Sequence, residues 1–436
     1  MADHENFYTR PPVDVSGGKC PFSGGLGDEF NPFEDPYLSN PWSFLEKARR
    51  EEPIFYSPLI NHWVVTRYDD VRRVLGDPES FSNRMSQSPV KPWPKEAIEI
   101  FEARGFPLIP NLNNSDPPEH TKLRAFMRGA FTPRKLKWLE QPTRDFFNEA
   151  IDDLQGKQSA DIVKEVFHDT PARVLFKMLG IPDEDIAMVK GWSEGRALLT
   201  WGRLSDEEIV AQIPSFCDYL QYCFDRVDAL EANPGEDYIS ELIQQWHAEK
   251  PEGITKQNIA VMLFGLLMAG HDTTTNLSGN TVRALLTHRE QWELLCQDPS
   301  LIPNAVEEGL RYEGSVIAWR RVTTRDVEIA GVEVPANSMV LVVLGSANRD
   351  RSHFSDPDTF DIRRENARDH LSFSFGPHFC MGSPLARLEM KVYLEELTRR
   401  IPSLRMVPGQ KPDYLPNTSH RGSSTLLVEW DRIEPR

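Results

Sequence analysis

Phe373-Ser374-Phe375-Gly376-Pro377-His378-Phe379-Cys380-Met381-Gly382 is the stretch on which the reading of this 436-residue chain turns. It stands just before a segment whose apolar positions Leu385, Leu388 and Val392 recur at helical spacing, which predicts a helix from about Pro384 to Arg400, stopped by Pro402. A cysteine placed there faces the unpaired N–H groups and the positive end of the helix dipole, and both stabilise a thiolate. Gly376 and Gly382 permit positive φ and the close approach of a flat ligand to the backbone. Phe373 is placed to shield the sulfur from water. Taken alone, one cysteine in an apolar loop reads as a buried, inert thiol.

Upstream, Ala269-Gly270-His271-Asp272-Thr273-Thr274 ends the apolar run AVMLFGLLMAG, inside a segment free of proline from Glu252 to Asp298. The pattern predicts one helix from Thr255 to about His288, ~50 Å long at 1.5 Å per residue. Leu277 and Leu285 continue the apolar pattern, so Asp272 and Thr273 fall mid-helix, where polar groups need partners. A threonine that bonds back to the carbonyl four residues earlier bends or opens a helix, leaving a groove for dioxygen and water. His271 reads as a packing or solvent-facing residue.

Elsewhere the chain alternates between a long helical region and short β runs. Residues 1–35 are rich in Gly and Pro without any period and read as a surface arm, partly disordered. PIFYSPLINHWVVTRY (53–68) predicts two short strands turning at Asn61-His62, followed by a helix ending at Gly76. The proline-rich stretch 80–118 reads as a long loop, which inside a compact chain is more often functional than idle. Residues 119–310 are mostly helical in period; RVTTRDVEIAGVEVPANSMVLVVLG (321–345) and TLLVEW (425–430) read as strands. With no repeat and no linker between 40 and 430, the expectation is one domain over 36–436, mainly α with a small β portion (α+β).

Composition narrows the function. The chain carries 49 Lys+Arg against 66 Asp+Glu, a net charge of −17, which excludes nucleic acid as the main partner. The longest apolar run is about half the ~20 residues that span a bilayer, so no membrane association is expected. The N-terminal sequence lacks a basic and apolar leader, and the five cysteines form no CxxC pair. A reducing, cytoplasmic setting follows as an expectation.

The spacing F-x-x-G-x-H-x-C-x-G resembles the cysteine-ligated haem loop of the cytochrome P-450 superfamily. The resemblance implies the cytochrome P-450 fold with its long central helix over the haem, haem b as cofactor, and Cys380 as the iron ligand. Thiolate donation favours O–O cleavage. Ala269 to Thr273 is similar to the family's A-G-x-D/E-T motif. By that resemblance Thr273 donates a hydrogen bond to dioxygen during its reduction and Asp272 relays protons from solvent. His120 and Arg124, one helical turn apart, match the H-x-x-x-R pair that holds the haem propionates. Arg321 and His378 match two further propionate contacts, with Arg320 the second choice for Arg321. Glu308 and Arg311 match the structural E-x-x-R pair. A third arginine normally joins that pair from P-x-R-F, but here Pro357-Asp358-Thr359-Phe360 puts Thr359 in its place, leaving Arg363 or Arg364 to substitute.

The same resemblance draws the substrate pocket from Phe81, Leu199, Trp201, Phe264, Ala269, Val316 and Ile317, an apolar, aromatic wall suited to a small hydrophobic or aromatic substrate. Arg421 reads equally as a pocket cation or a solvated loop residue. The chain carries no nucleotide-binding glycine motif after a strand and no cysteine cluster, so NAD(P)H would act only indirectly, through a ferredoxin or a flavin/iron–sulfur reductase. Arg128, Arg134, Lys135 and Lys137 form a basic run suited to such a partner. NPFEDPYL, DPSLIPNAVEEGLR, GSVIAWRRVTT and YLPNTSHRG resemble the haem domain of self-sufficient bacterial P-450s, so the chain is read as a stand-alone relative or an excised haem domain. The expected function is monooxygenation, as hydroxylation or oxidative O-dealkylation. The alternatives are a peroxide-driven peroxygenase of the same fold and a non-catalytic haem sensor or carrier.

Overall fold

The computed structural model describes residues 25–436, apart from Leu108 and Ala130. Residues 1–24 of the expected arm lie outside the described residues. The end of that arm is not loose: Leu26–Glu29 forms a helical turn, and Leu26 and Phe30 are buried with Phe55 and Val64. Two apolar side chains on a sheet face outweigh the glycine-rich composition that suggested an irregular segment.

The strands are β1 Ile54–Ser57, β2 His62–Val65, β3 Phe81–Ser82, β4 Ser159–Asp161, β5 Trp319–Thr323, β6 Val327–Ile329, β7 Val332–Val334, β8 Met339–Val342, β9 Arg405–Met406 and β10 Leu427–Glu429. The main sheet runs β1-β2-β8-β5-β3. β1 and β2 pair antiparallel across a turn in which Asn61 takes φ 57°. β5 lies antiparallel to β8, with Arg321 opposite Val340. Everything else of size is helical, so the molecule is mainly α with a small β portion. Among the described residues no helix is long and apolar enough to cross a membrane.

The expected single helix over 255–288 is two helices, Lys256–Gly270 and Asp272–Thr287, interrupted at His271. The first is capped by Thr255, whose side chain accepts the Asn258 N–H while Asn258 bonds back. The loop 80–118 also carries a helix, Lys95–Glu102, whose Ala97 and Phe101 are buried.

Behind the cysteine loop lies a fully desolvated ion pair. Arg311 grips Glu308 through two bonds of 2.7 and 2.8 Å, with neither side chain exposed. Its remaining N–H groups donate to the Asn348, Pro357 and Thr359 carbonyls. The third arginine is Arg364, with Nε 3.2 Å from Glu308 and further bonds to the Ser355, Asp356 and Thr359 carbonyls. Thr359 thus contributes its backbone oxygen where the motif would contribute a guanidinium. Arg363 is exposed. Breaking a buried charge network by removing one partner costs about 3 kcal/mol. Arg364→Leu is therefore expected to lower the urea midpoint of unfolding clearly, and Arg363→Leu to leave it within error.

Candidate active site

The helix following the cysteine loop is Ser383–Arg400, with Pro384 in its first turn, where the missing N–H costs nothing. Cys380 donates its own N–H to Phe373 O (2.8 Å), which closes the loop under the Phe373 ring. Gly376 sits at φ +72°, and a Cβ there would lie 2.8 Å from Leu75 O, so only glycine lets the loop seat on helix Tyr68–Gly76. Arg387 stacks on Phe373 at 4.6 Å while holding buried Glu307 at 2.8 Å. Sequence reasoning missed this support; its only signal was a cation one turn into the helix. Burial pushes the Cys380 thiol up, opposed by the Gly382 and Ser383 N–H groups and by Arg124 and Arg387. Such a sulfur becomes a thiolate when a metal binds it.

On one side of this loop, four basic side chains from three distant segments converge. His120 and Arg124 come from helix Glu119–Met127, Arg321 from β5, and His378 from the loop. The His120 and His378 rings lie 3.9 Å apart. Arg124 donates to Phe379 O at 2.7 Å, and Arg321 to Arg320 O at 2.8 Å. Both ring nitrogens of His120, Nε2 of His378 and Nη2 of Arg321 are buried without a hydrogen-bond partner. Burial lowers Arg321 to about 10 and, with Arg124 and Arg321 adding repulsion, His120 to about 4. A desolvated cluster of donors with no carboxylate bonded to it fits a ligand that brings its own anions. Arg320 points elsewhere, donating to the Ser88 and Thr200 carbonyls, because neighbouring residues on a strand face opposite sides.

Across the site, Thr273 Oγ1 donates to Ala269 O at 2.8 Å, taking a carbonyl from the helix beside the break. Asp272 is half exposed and lies 3.4 Å from His271 Nε2. His271, read from the sequence as incidental, is fully buried.

The pocket residues divide. Ala269 is exposed, and Trp201 and Val316 are half-buried. Trp201 gathers Trp319 at 5.5 Å and His420 at 4.5 Å, giving an aromatic cluster. Phe264 packs between Phe216 and Tyr219, at 5.5 and 5.2 Å. Three residues are buried in the core. Phe81, paired opposite Thr323, lies in the cluster with Tyr68 and Val71. Leu199 packs with Phe216 and Ile213. Ile317 lies over Gly345. Arg421 is settled as well: it pairs with Glu313 at 3.1 Å and stacks on Tyr414, so it is a buried structural cation.

Comparison with known proteins identifies the family. The family described as "Cytochrome P450" matches residues 216–419. The cytochrome P450 monooxygenase PikC of Streptomyces venezuelae is 35% identical over 417 residues, covering 94% of each chain. Cytochrome P450 107B1 of Saccharopolyspora erythraea is 34% identical over 84% of this chain and 88% of that one. Among solved structures, an intact type IV self-sufficient cytochrome P450 monooxygenase superposes with a TM-score of 0.90 at 41% identity, covering 94% of this chain. This chain spans 54% of that longer protein. Cytochrome P450 CREJ in complex with (4-ethylphenyl) dihydrogen phosphate superposes with a TM-score of 0.89 at 38% identity, covering 93% of this chain and all of that one. The chain belongs to the cytochrome P450 family. Its members are haem-containing monooxygenases, and this chain is one of that class of oxidoreductase.

The cation cluster makes haem-free stability depend on pH. His120 is neutral in the fold down to about 4, whereas in the unfolded chain it takes up a proton near 6.5. Its contribution is complete above the unfolded value and is lost as pH falls from about 6.5 towards 4. Urea unfolding of the haem-free protein across this window is expected to show His120→Asn with a shallower loss than the wild type.

Proposed function

We propose that Cys380 ligates the haem iron, that His120, Arg124, Arg321 and His378 hold the two propionates, and that Asp272 and Thr273 govern proton supply on the opposite face. The observation that carries this reading is the set of buried, partnerless donors beside a cysteine at a helix N-terminus. Bound haem supplies the activation of dioxygen and the insertion of one oxygen atom into substrate. The chain's residues do the rest. The Gly382 and Ser383 N–H groups temper the electron donation of the sulfur. Phe373, backed by Arg387, excludes water from it. Thr273 has a hydroxyl proton that can leave Ala269 O for a ligand in the groove, and half-exposed Asp272 returns protons from solvent. An acid–alcohol pair favours reaction with dioxygen and external electrons over the peroxygenase and sensor alternatives, since peroxide already carries its protons and a sensor needs none.

The substrate is a small hydrophobic, aromatic molecule, hydroxylated or O-dealkylated against Trp201, Val316 and Ala269. The aromatic cluster around Trp201 supports this. So does the aryl ligand named for the CREJ structure. Electrons come from NAD(P)H through a ferredoxin or a flavin/iron–sulfur reductase, separate or fused. Exposed Arg128, Arg134 and Lys137 provide a basic docking face; Lys135 is tied to Glu241 at 2.7 Å. Cytoplasmic placement goes with that supply.

Two variants separate binding from chemistry. Cys380→His is expected to abolish the red-shifted absorption of the reduced carbon-monoxide complex, and its persistence would refute ligation by Cys380. Thr273→Ala is expected to keep that absorption while diverting NAD(P)H electrons to hydrogen peroxide; unchanged coupling removes Thr273 from the mechanism. Reversing Arg134 and Lys137 to Glu is expected to slow reduction by an acidic ferredoxin, with the slowing lost at high salt. Spin-state titration with an aromatic panel tests the substrate class, and a response confined to aliphatic acids would overturn it.

A further inference from the structure

The loop 417–422 is pinned on three sides. Ile317 N–H donates to Ser419 O and Arg421 N–H to Ser315 O, both at 2.8 Å, so Val316 and His420 lie opposite each other in an antiparallel bridge. Asn417 holds both backbone groups of His420, at 2.6 and 3.0 Å, and Thr418 N–H donates to Trp201 O at 3.0 Å. Gly422 passes so close to helix Asp272–Thr287 that a Cβ there would lie 2.1 Å from Asn276 Oδ1, one turn beyond Asp272. Successive extended residues point to opposite sides. Ser419 turns inward to donate to Ala318 O, and Arg421 turns inward to Glu313. His420, between them, faces the other way, on the side of Val316 and 4.5 Å from the Trp201 ring. All three side chains are half-buried, as is Trp319. Nδ1 of His420 is buried without a hydrogen-bond partner, which leaves Nε2 as the nitrogen within reach of a ligand. Desolvation lowers the imidazole to about 4 against the pull of Asp272, so the ring is neutral at working pH. An orphaned N–H is rarer in folded proteins than an orphaned acceptor, so the ring proton belongs on Nε2. The cations beside the loop are engaged: Arg421 by Glu313 and the Leu38 and Ser39 carbonyls, Arg320 by the Ser88 and Thr200 carbonyls.

We propose that His420 determines specificity, its Nε2–H donating to a neutral acceptor oxygen on the aromatic substrate, the ether oxygen of an alkyl aryl ether or the hydroxyl oxygen of a phenol. An arene without such an oxygen displaces water from Nε2–H and leaves the donor unpaired, which is the stronger form of discrimination a pocket can exert. An aryl carboxylate brings a second negative charge to the side of Asp272 and finds Arg421 and Arg320 already bonded. His420 makes and breaks no bond; it selects and orients. The inference rests on reading the substrate as a small aromatic molecule and adds which substituent that molecule carries.

The test is equilibrium binding to the ferric holoprotein, read by the spin-state shift and by calorimetry, so that a ligand silent in the first is counted in the second. The probes are para-propylanisole and para-ethylpropylbenzene, which differ by an oxygen in place of a methylene, and para-propylbenzoate. The ratio of the first two dissociation constants, compared between proteins, cancels the difference in hydration of the two ligands. His420→Phe keeps a ring against Trp201 without an N–H, and is expected to move that ratio about fivefold against the ether, the worth of one neutral hydrogen bond. His420→Gln, whose amide donates, is expected to recover part of it, with the carbon-monoxide absorption intact in both variants. An unchanged ratio in His420→Phe, or an equal shift in both variants, overturns the proposal. Tighter binding of the benzoate than of the ether overturns the neutral-oxygen assignment. If neither uncharged arene binds, the aromatic reading of the substrate fails and this assignment with it; binding with an unchanged ratio removes only the assignment. Ring-nitrogen NMR of the histidine-labelled, reduced carbon-monoxide complex gives an independent readout. The signal lost in His420→Phe is expected to be an Nε2–H tautomer that shifts with the ether, and an Nδ1–H tautomer overturns the proposal.

Discussion

The structure is organised around a cluster of buried polar groups that no side-chain carboxylate bonds. His120 and Arg321 are buried, with half-buried His378 and Arg124 beside them, yet no carboxylate is bonded to them. Burying a guanidinium nitrogen of Arg321 and imidazole nitrogens of His120 and His378 without hydrogen-bond partners is costly, and the histidines stay neutral for that reason. Such a cluster fits a ligand that brings its own anions, which is the place proposed for the carboxylates of the haem. Much of the surrounding architecture holds the cluster in place. β8 and β3 flank β5 and fix Arg321, Gly376 seats the cysteine loop on helix Tyr68–Gly76, and the Glu308–Arg311–Arg364 network anchors the loops behind it.

The opposite face depends on a smaller departure from regularity. Two side chains accept roles that a straight helix reserves for its own backbone: Thr273 bonds Ala269 O, and His271 bonds Leu267 O. Both carbonyls lie in the last turn of Lys256–Gly270, and the helix breaks at His271. The local chemistry of Ala269 to Thr273 therefore accompanies the break and places a carboxyl and a hydroxyl beside it. The same break buries the His271 imidazole against Ser193 of helix Ile186–Ser193.

Motifs made of neighbours in sequence were legible, because their geometry is set by covalent distance and helical period. The cysteine before a helix, the one-turn spacing of His120 and Arg124, and the turn at Asn61 are of this kind. The chain's resemblance to cytochrome P-450s supplied the roles, which spacing alone left open. Strand phase was less legible. Arg320 and Arg321 look equivalent until strand pairing sends them to opposite faces, Arg320 to the Ser88 and Thr200 carbonyls and Arg321 towards His120 and His378.

By itself the sequence determined a mainly helical chain, a cysteine poised at a helix N-terminus, and an acid–alcohol pair within an apolar helix. These are local properties of side chains a few residues apart. Only the tertiary structure decided that Arg364 completes the Glu308 network across 56 residues, and that Arg421 belongs to Glu313 instead of the pocket. It also decided that Phe81 and Ile317 are core, and that His271 meets Ser193 across 78 residues. The physical reason is common to all of them. Which partner neutralises a buried charge, or covers an apolar side chain, depends on which distant segment packs there, and no local period encodes that choice.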